Sequence, residues 1–167
     1  MGEVSEVDET IQQKRSVDLA LAAEVIRDYE NGPDGGFAKF PYLCPGGVHT
    51  IGWGHAITSE LELRFFEQGI SAEDAERLMF QDLRKAKDSL DTLCKATLNA
   101  AQRGALISFI FNVGHANFAE STLLRRLNDG QIGLAPAELR RWIYADGRKL
   151  RGLVRRREAE ITLGAPW

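Results

Sequence analysis

The chain of 167 residues holds only two cysteines, Cys44 and Cys94. That is too few for the disulfide framework of a small secreted scaffold. The two could pair with each other, but their positions in sequence do not show whether their Cα atoms come close enough. The sequence also lacks any apolar run near the roughly 20 residues that a membrane-spanning helix needs. Its longest apolar stretch, Leu19 to Ile26, is broken by Glu24 and preceded by Asp18. The N-terminus does not have the pattern of a signal peptide. The expectation is a chain made in the cytosol, with no membrane anchor, that needs outside help to reach any target beyond the membrane. There are no internal repeats and no low-complexity tract.

What is present is ordinary globular composition: 44% hydrophobic and 27% charged residues. A real core is possible without staples, in one domain or two joined lobes. The net charge of −3 hides an asymmetry. Residues 1–30 carry eight acidic and three basic side chains. Residues 140–157 carry Arg140, Arg141, Arg148, Lys149, Arg151, Arg155, Arg156 and Arg157 against Asp146 alone. Such a basic end suits a polyanion or is simply a solvated helical face. Nucleic acid would call for a more basic domain overall, so no nucleic-acid partner is expected.

Residues 1–15 are polar and acidic without periodicity and are expected to be a flexible tail. The domain then runs over 16–167. Ser16 and Asp18 can cap a helix to about Tyr29, with Leu19, Ala22, Ala23, Ile26 and Tyr29 at helical spacing. Ten glycines and prolines fall within residues 31–57, which excludes a long helix there. Cys44-Pro45-Gly46-Gly47 reads as a turn, and Val48 to Trp53 as a strand weakened by Gly52. From Ser71 the chain reads as helical. Ser71-Ala72-Glu73-Asp74 has the pattern of a capping box behind Ile70, and Asn99 with Gln102 repeats it. The helix up to Val113 is apolar nearly all round and should be the buried centre, ended by Gly114. Shorter helices are expected near 121–128, 136–144 and 150–163. The fold class is therefore α+β: a small glycine-rich β element (about 31–70) beside a mainly helical lobe (about 71–167), with a cleft between them.

Glu30 stands where the first helix ends, at the negative end of its dipole, an arrangement that favours the protonated form of a carboxyl. A group of that kind can protonate a leaving glycosidic oxygen. Further on, Gly52 and Gly54 within Thr50-Ile51-Gly52-Trp53-Gly54-His55 permit close approach of another segment. Ile26-Arg27-Asp28-Tyr29-Glu30-Asn31-Gly32 followed by Thr50 to His55 resembles the phage-type lysozymes, the endolysin muramidases of glycoside hydrolase family 24. Phe109 to Gly114, Ser121 to Leu124, Arg140-Arg141-Trp142 and Gly152 to Glu158 resemble further segments of that family. The likeness spans about residues 17–164.

The resemblance implies a lysozyme-like fold, a monomer, no cofactor and peptidoglycan glycan strands as substrate. The bond cut would be the β-1,4 link between N-acetylmuramic acid and N-acetylglucosamine. It assigns Glu30 as the general acid and Thr50 as the cleft threonine that helps place the attacking water or shields the far face of the sugar. It pairs His55 structurally with Asp82 and puts Asn112 on the sugar-binding cleft, though Asn112 also suits a helix cap. The family generally carries aspartate six residues before the threonine; here Cys44 stands there. A thiolate could stabilise positive charge, orient water or attack the anomeric carbon. The alternative is a small buried side chain or half of a disulfide. Glu30 and Cys44 are also 14 residues apart, a longer interval than the family's. Asp28 and Asp34 are then alternative sources of a second carboxylate. Inversion follows from the resemblance, while Cys44 leaves retention open.

Other readings stay in view. A cysteine hydrolase would need Cys44 beside a histidine, but His49 alternates with Thr50 and faces the other way. Cys44, His49 and His55 match no common zinc spacing. A lysozyme-like protein that binds the wall without cutting it, and a lytic transglycosylase with one glutamate, are both compatible with the loss of aspartate at 44.

Overall fold

A computed structural model describes residues 16–44 and 46–167. The expected acidic tail, 1–15, lies outside them. Helix α1 (Val17–Tyr29) is followed by an antiparallel sheet of β1 (Ala38–Leu43), β2 (His49–Gly52) and β3 (His55–Ala56). Helices α2 (Glu60–Phe66), α3 (Ala72–Leu93), α4 (Ala100–Val113), α5 (His115–Ala119), α6 (Thr122–Asn128) and α7 (Ala135–Leu139) come next. A hairpin of β4 (Tyr144–Ala145) and β5 (Arg148–Lys149) leads into α8 (Arg151–Gly164).

The expected central helix is α4. Leu106, Ile107, Phe109 and Ile110 are buried on it, and α1, α3 and α8 all pack against it. Its apolar residues join Leu19 and Ile26 of α1 and Met79, Leu83 and Leu90 of α3 in one large core. Thus α1, although it precedes the sheet, belongs to the helical lobe. A second, smaller cluster of Ile51, Ile57, Phe66, Ile70 and Ala75 holds the sheet against α2 and the start of α3. Trp53 packs against both clusters.

Both expected capping boxes form: Ser71 with Asp74, and Asn99 with Gln102, each pairing side chain and backbone in both directions. At the start of α1 the structure corrects the sequence reading. Ser16 is the N-cap but makes no side-chain capping bond, and Asp18 accepts the Leu19 amide and Arg103 Nε, each at 2.9 Å. Three further differences matter. Helix α2 was not anticipated in the β lobe; it follows the segment 31–57 read as strands and turns, with the Ser59 hydroxyl accepting the Glu62 amide. Helix α5 follows Gly114 at once. The helix expected over 136–144 stops at Leu139 and gives way to the β4–β5 hairpin. Asp146 (φ 50°) and Gly147 (φ 72°) turn that hairpin. Asp-Gly with two positive φ values is the signature of a type I′ turn, which outcompetes helix extension there.

The register of the sheet sets the site. Tyr42 lies opposite Thr50, and Leu43 opposite His49. Opposed residues share a face and neighbours alternate. Thr50 is buried while His49 is exposed on the other face, as alternation requires.

Candidate active site

Glu30 caps the C-terminus of α1, its amide donating to the Ile26 carbonyl at 2.8 Å. Its carboxyl meets two neighbours. Oε1 accepts from Nη1 of Arg156, a residue of α8 that is 3% exposed. The other oxygen lies against Gly54, where a Cβ would come within 3.0 Å of Oε2. Gly54 also holds φ at +84°, in the left-handed region. Only glycine fits both requirements. One oxygen is thus tied to a cation, and the other faces the turn at the head of the cleft.

Cys44 follows β1 on the strand that carries Tyr42, and Tyr42 stands across from Thr50. Burial alone would push the Cys44 thiol up, but bonds from the Val48 and Gly46 amides and the Thr50 hydroxyl outweigh it, and the thiol sits below its ordinary value. The Thr50 hydroxyl also reaches the Val48 carbonyl at 3.1 Å. Tyr42 is a residue the sequence reading missed. Burial, then the charges of Glu30 and Cys44, raise its hydroxyl above the ordinary value. Both cysteines are free thiols. Asp28 and Asp34, the alternative carboxylates, are exposed. No group of three His, Cys, Asp or Glu among the described residues could hold a metal, and Cys44, His49 and His55 do not converge.

The expected His55–Asp82 pair is present, with Nδ1 2.6 Å from Oδ2. A second carboxylate was not anticipated: Glu62 of α2 lies 3.2 Å from Nε2 and also accepts the Thr58 amide at 2.8 Å. The signal was there in Ser59-x-x-Glu62, an N-cap pattern. Hydrogen bonding to Asp82 outweighs burial and, with Glu62, raises His55 above its ordinary value. This cluster ties β3, α2 and α3 together.

Asn112, near the end of α4, accepts from Arg157 Nη2 at 2.5 Å. Arg157 is fully buried, its guanidinium 4.9 Å above the Phe109 ring, and burial lowers it to about 10. The basic end of the sequence therefore divides. Arg156 and Arg157 turn inward. Arg140 and Arg141 pair with Glu158 and Glu138. Arg148, Lys149, Arg151 and Arg155 stay at the surface. A recess of about 350 Å³ begins at Gly54 and runs past His55, Asp82, Phe111 and His115, between the β lobe and α3–α5.

Residues 34–160 match the model of the phage lysozyme family. The chain is 36% identical over 144 residues to a SAR-endolysin of Bacteriophage PS119, covering 85% of this chain and 83% of that one. Among solved structures it is similar to the muramidase domain of SpmX from Asticaccaulis excentricus: TM-score 0.73, 30% identity, 90% of this chain and 97% of that one. A P22 lysozyme variant follows at TM-score 0.65 and 28% identity, covering 87% of this chain and 94% of that one.

Proposed function

The chain belongs to the phage lysozyme family, and we propose that Glu30 is the acid with which it hydrolyses peptidoglycan. It is an endolysin-type muramidase that cuts the β-1,4 bond between N-acetylmuramic acid and N-acetylglucosamine and so lyses the wall. The observation that carries the role of Glu30 is its carboxyl, held with Oε1 on Arg156 and Oε2 beside Gly54, the residue at which the recess between the lobes begins.

The chemistry follows from that arrangement. With one oxygen on a buried guanidinium, the other is left to carry a proton to the leaving glycosidic oxygen. The sugar that develops positive charge is met from the opposite side by Cys44 and Thr50, on the face of the sheet that carries Tyr42. Their hydrogen-bonding groups support the placement of the attacking water. Asn112, fixed by Arg157, lines the sugar-binding side. Replacing Cys44 with aspartate should keep activity, and replacing it with alanine should lower kcat by about 10²-fold, the size of a misplaced reactant. The enzyme acts as a monomer and reaches the wall from the periplasm through a holin-made lesion. Secretion of the intact chain from cells lacking any holin would overturn that route.

The test is mass spectrometry of products from purified peptidoglycan in heavy-oxygen water, for the native chain and Glu30→Gln. Reducing-end muramic acid with one heavy oxygen, absent in the variant, is expected. Anhydro-muramic products would make the protein a transglycosylase. A folded native chain that binds the wall and releases nothing would make it a binding protein.

A further inference from the structure

Behind the carboxyl of Glu30 lies a charged residue to which the mechanism above gives no part. Glu160, on α8, is 0% exposed. A buried carboxylate is costly to desolvate, and a well-packed apolar residue would serve packing at least as well. Its presence therefore calls for a use.

We propose that Glu160 is a positioning residue for the cleavage reaction: its one carboxylate holds Arg156 against Glu30 and, through Arg157, holds Asn112 in the cleft. This rests on the reading of Glu30 as the acid.

The geometry carries the inference. Oε1 of Glu160 accepts the Ser108 hydroxyl at 2.8 Å and Arg156 Nε at 3.3 Å. Its Oε2 lies 3.2 Å from Arg157 Nε. Arg156 then spends its remaining nitrogens on Glu30 and on the Ser108 carbonyl, at 3.3 Å for the latter. Three acceptors fix the plane of its guanidinium, and one of them is the catalytic carboxyl. Arg157 sends Nη2 to Asn112, while its Nε and Nη1 and the Oε2 of Glu160 have no hydrogen-bond partner among the described residues, so Glu160 acts on Arg157 through charge at 3.2 Å rather than through a hydrogen bond. Glu160 is therefore the anion that keeps Arg157 facing this way.

The charges alternate from Glu30 through Arg156 and Glu160 to Arg157, and so balance. The groups that face Glu30 are Arg156 and Arg157 from α8 and Tyr42 from β1. Those that face Glu160 are Ser108 from α4 and the two arginines of its own helix. Burial pushes the Glu160 carboxyl up, and the arginines and Ser108 oppose that. Removing the Glu160 charge leaves two buried cations facing one carboxylate. The deprotonated, inactive form of the acid is then favoured, and Asn112 loses its anchor.

The experiment measures kcat and KM on soluble peptidoglycan fragments across pH. The chains compared are the native protein, Glu160→Gln, Ser108→Ala, the double variant Glu160→Gln/Arg157→Met, and Glu30→Gln. In Glu160→Gln the alkaline limb of the kcat profile should move down by about one pH unit, the lower end of what one nearby charge does. KM should rise about fivefold, the weight of one hydrogen bond. The double variant restores the charge balance, so its limb should return while KM stays raised. Ser108→Ala should move the limb in the same direction by less, and it decides the matter if Glu160→Gln does not fold. A limb unchanged in both Glu160→Gln and Ser108→Ala, with Glu30→Gln inactive, overturns this proposal alone. Activity surviving in Glu30→Gln overturns it together with the reading on which it rests.

Discussion

The two lobes hold themselves together by different means. The helical lobe surrounds α4 with a continuous apolar core and admits charge only where Asp18, Glu160 and the paired arginines have partners. The β lobe has a cluster of five buried residues and depends on the His55, Asp82 and Glu62 triangle to fasten it to α3. It also leaves Phe40, Leu43, Leu61 and Phe65 more than half exposed. A sheet of three short strands cannot bury much on its own, so specific polar contacts do there what packing does elsewhere. The site draws on both. Glu30 and Arg156 come from the well-packed side, Cys44 and Thr50 from the thinner one.

That contrast can be broken at its largest expected effect by core truncation. Phe109→Ala, which removes a ring set edge-to-face with Phe118 and Trp142 and beneath Arg157, should cost about 5 kcal/mol. Phe66→Ala in the smaller cluster should cost about 3 kcal/mol, the other end of the usual range. Denaturant unfolding compares them, and equal losses would mean that the two cores weigh the same. Next comes the seam between the lobes. Gly54→Ala sets a methyl against the Glu30 carboxyl at a positive φ and should lower kcat by about 10²-fold and Tm by about 2–4 °C. A normal rate would show that the carboxyl has room to move.

A smaller effect isolates the polar fastening. His55 is raised in the folded state, so its contribution is complete below the unfolded value near 6.5 and is lost as pH rises through the folded one. At Asp82, burial pushes upward, but His55 and Lys85 pull it below its ordinary value. Its contribution is therefore complete above about 4 and is lost as pH falls through the folded value. The two together favour a window of roughly pH 4 to 6.5. The native Tm should fall by about 2–4 °C from pH 6 to pH 9, and His55→Gln should flatten that slope. An equal slope in the variant would assign the pH dependence to other groups. The smallest effect compares the cysteines. Cys44 sits in a net of donors, whereas burial pushes the half-buried Cys94 up. Iodoacetamide at pH 8 should label Cys44 first, and mass mapping reads the order.

Much of this was legible in the chain because it is local. Caps, the glycine-rich break and the apolar circumference of α4 are statements about near neighbours. Glu30 and the His55–Asp82 pair came through a resemblance whose motifs are also short. What escaped was set by distance and context. Arg156 and Arg157 belong to a basic run that reads equally as a polyanion site or a solvated face, because a run of arginines carries no mark of which members turn inward. Glu160 is one more helical glutamate until α4 closes over it. Tyr42 gains meaning only from the register of β1 on β2, and Asp146-Gly147 falls between the helices expected over 136–144 and 150–163, where it was not read as a hairpin turn.

The ion pair between Glu30 and Arg156 joins residues 126 apart. Synthesis proceeds from the N-terminus at about 5–20 residues per second, so α1 emerges early and waits for its partners. The apolar face of α1 has no seat until α4 is made, and its terminal carboxyl has no cation until α8 appears near the end of the chain. A ribosome-bound fragment therefore carries the proposed acid without its setting, and competence arrives with α8. For an agent that destroys a bacterial wall, this order of assembly withholds activity until α8 has been made.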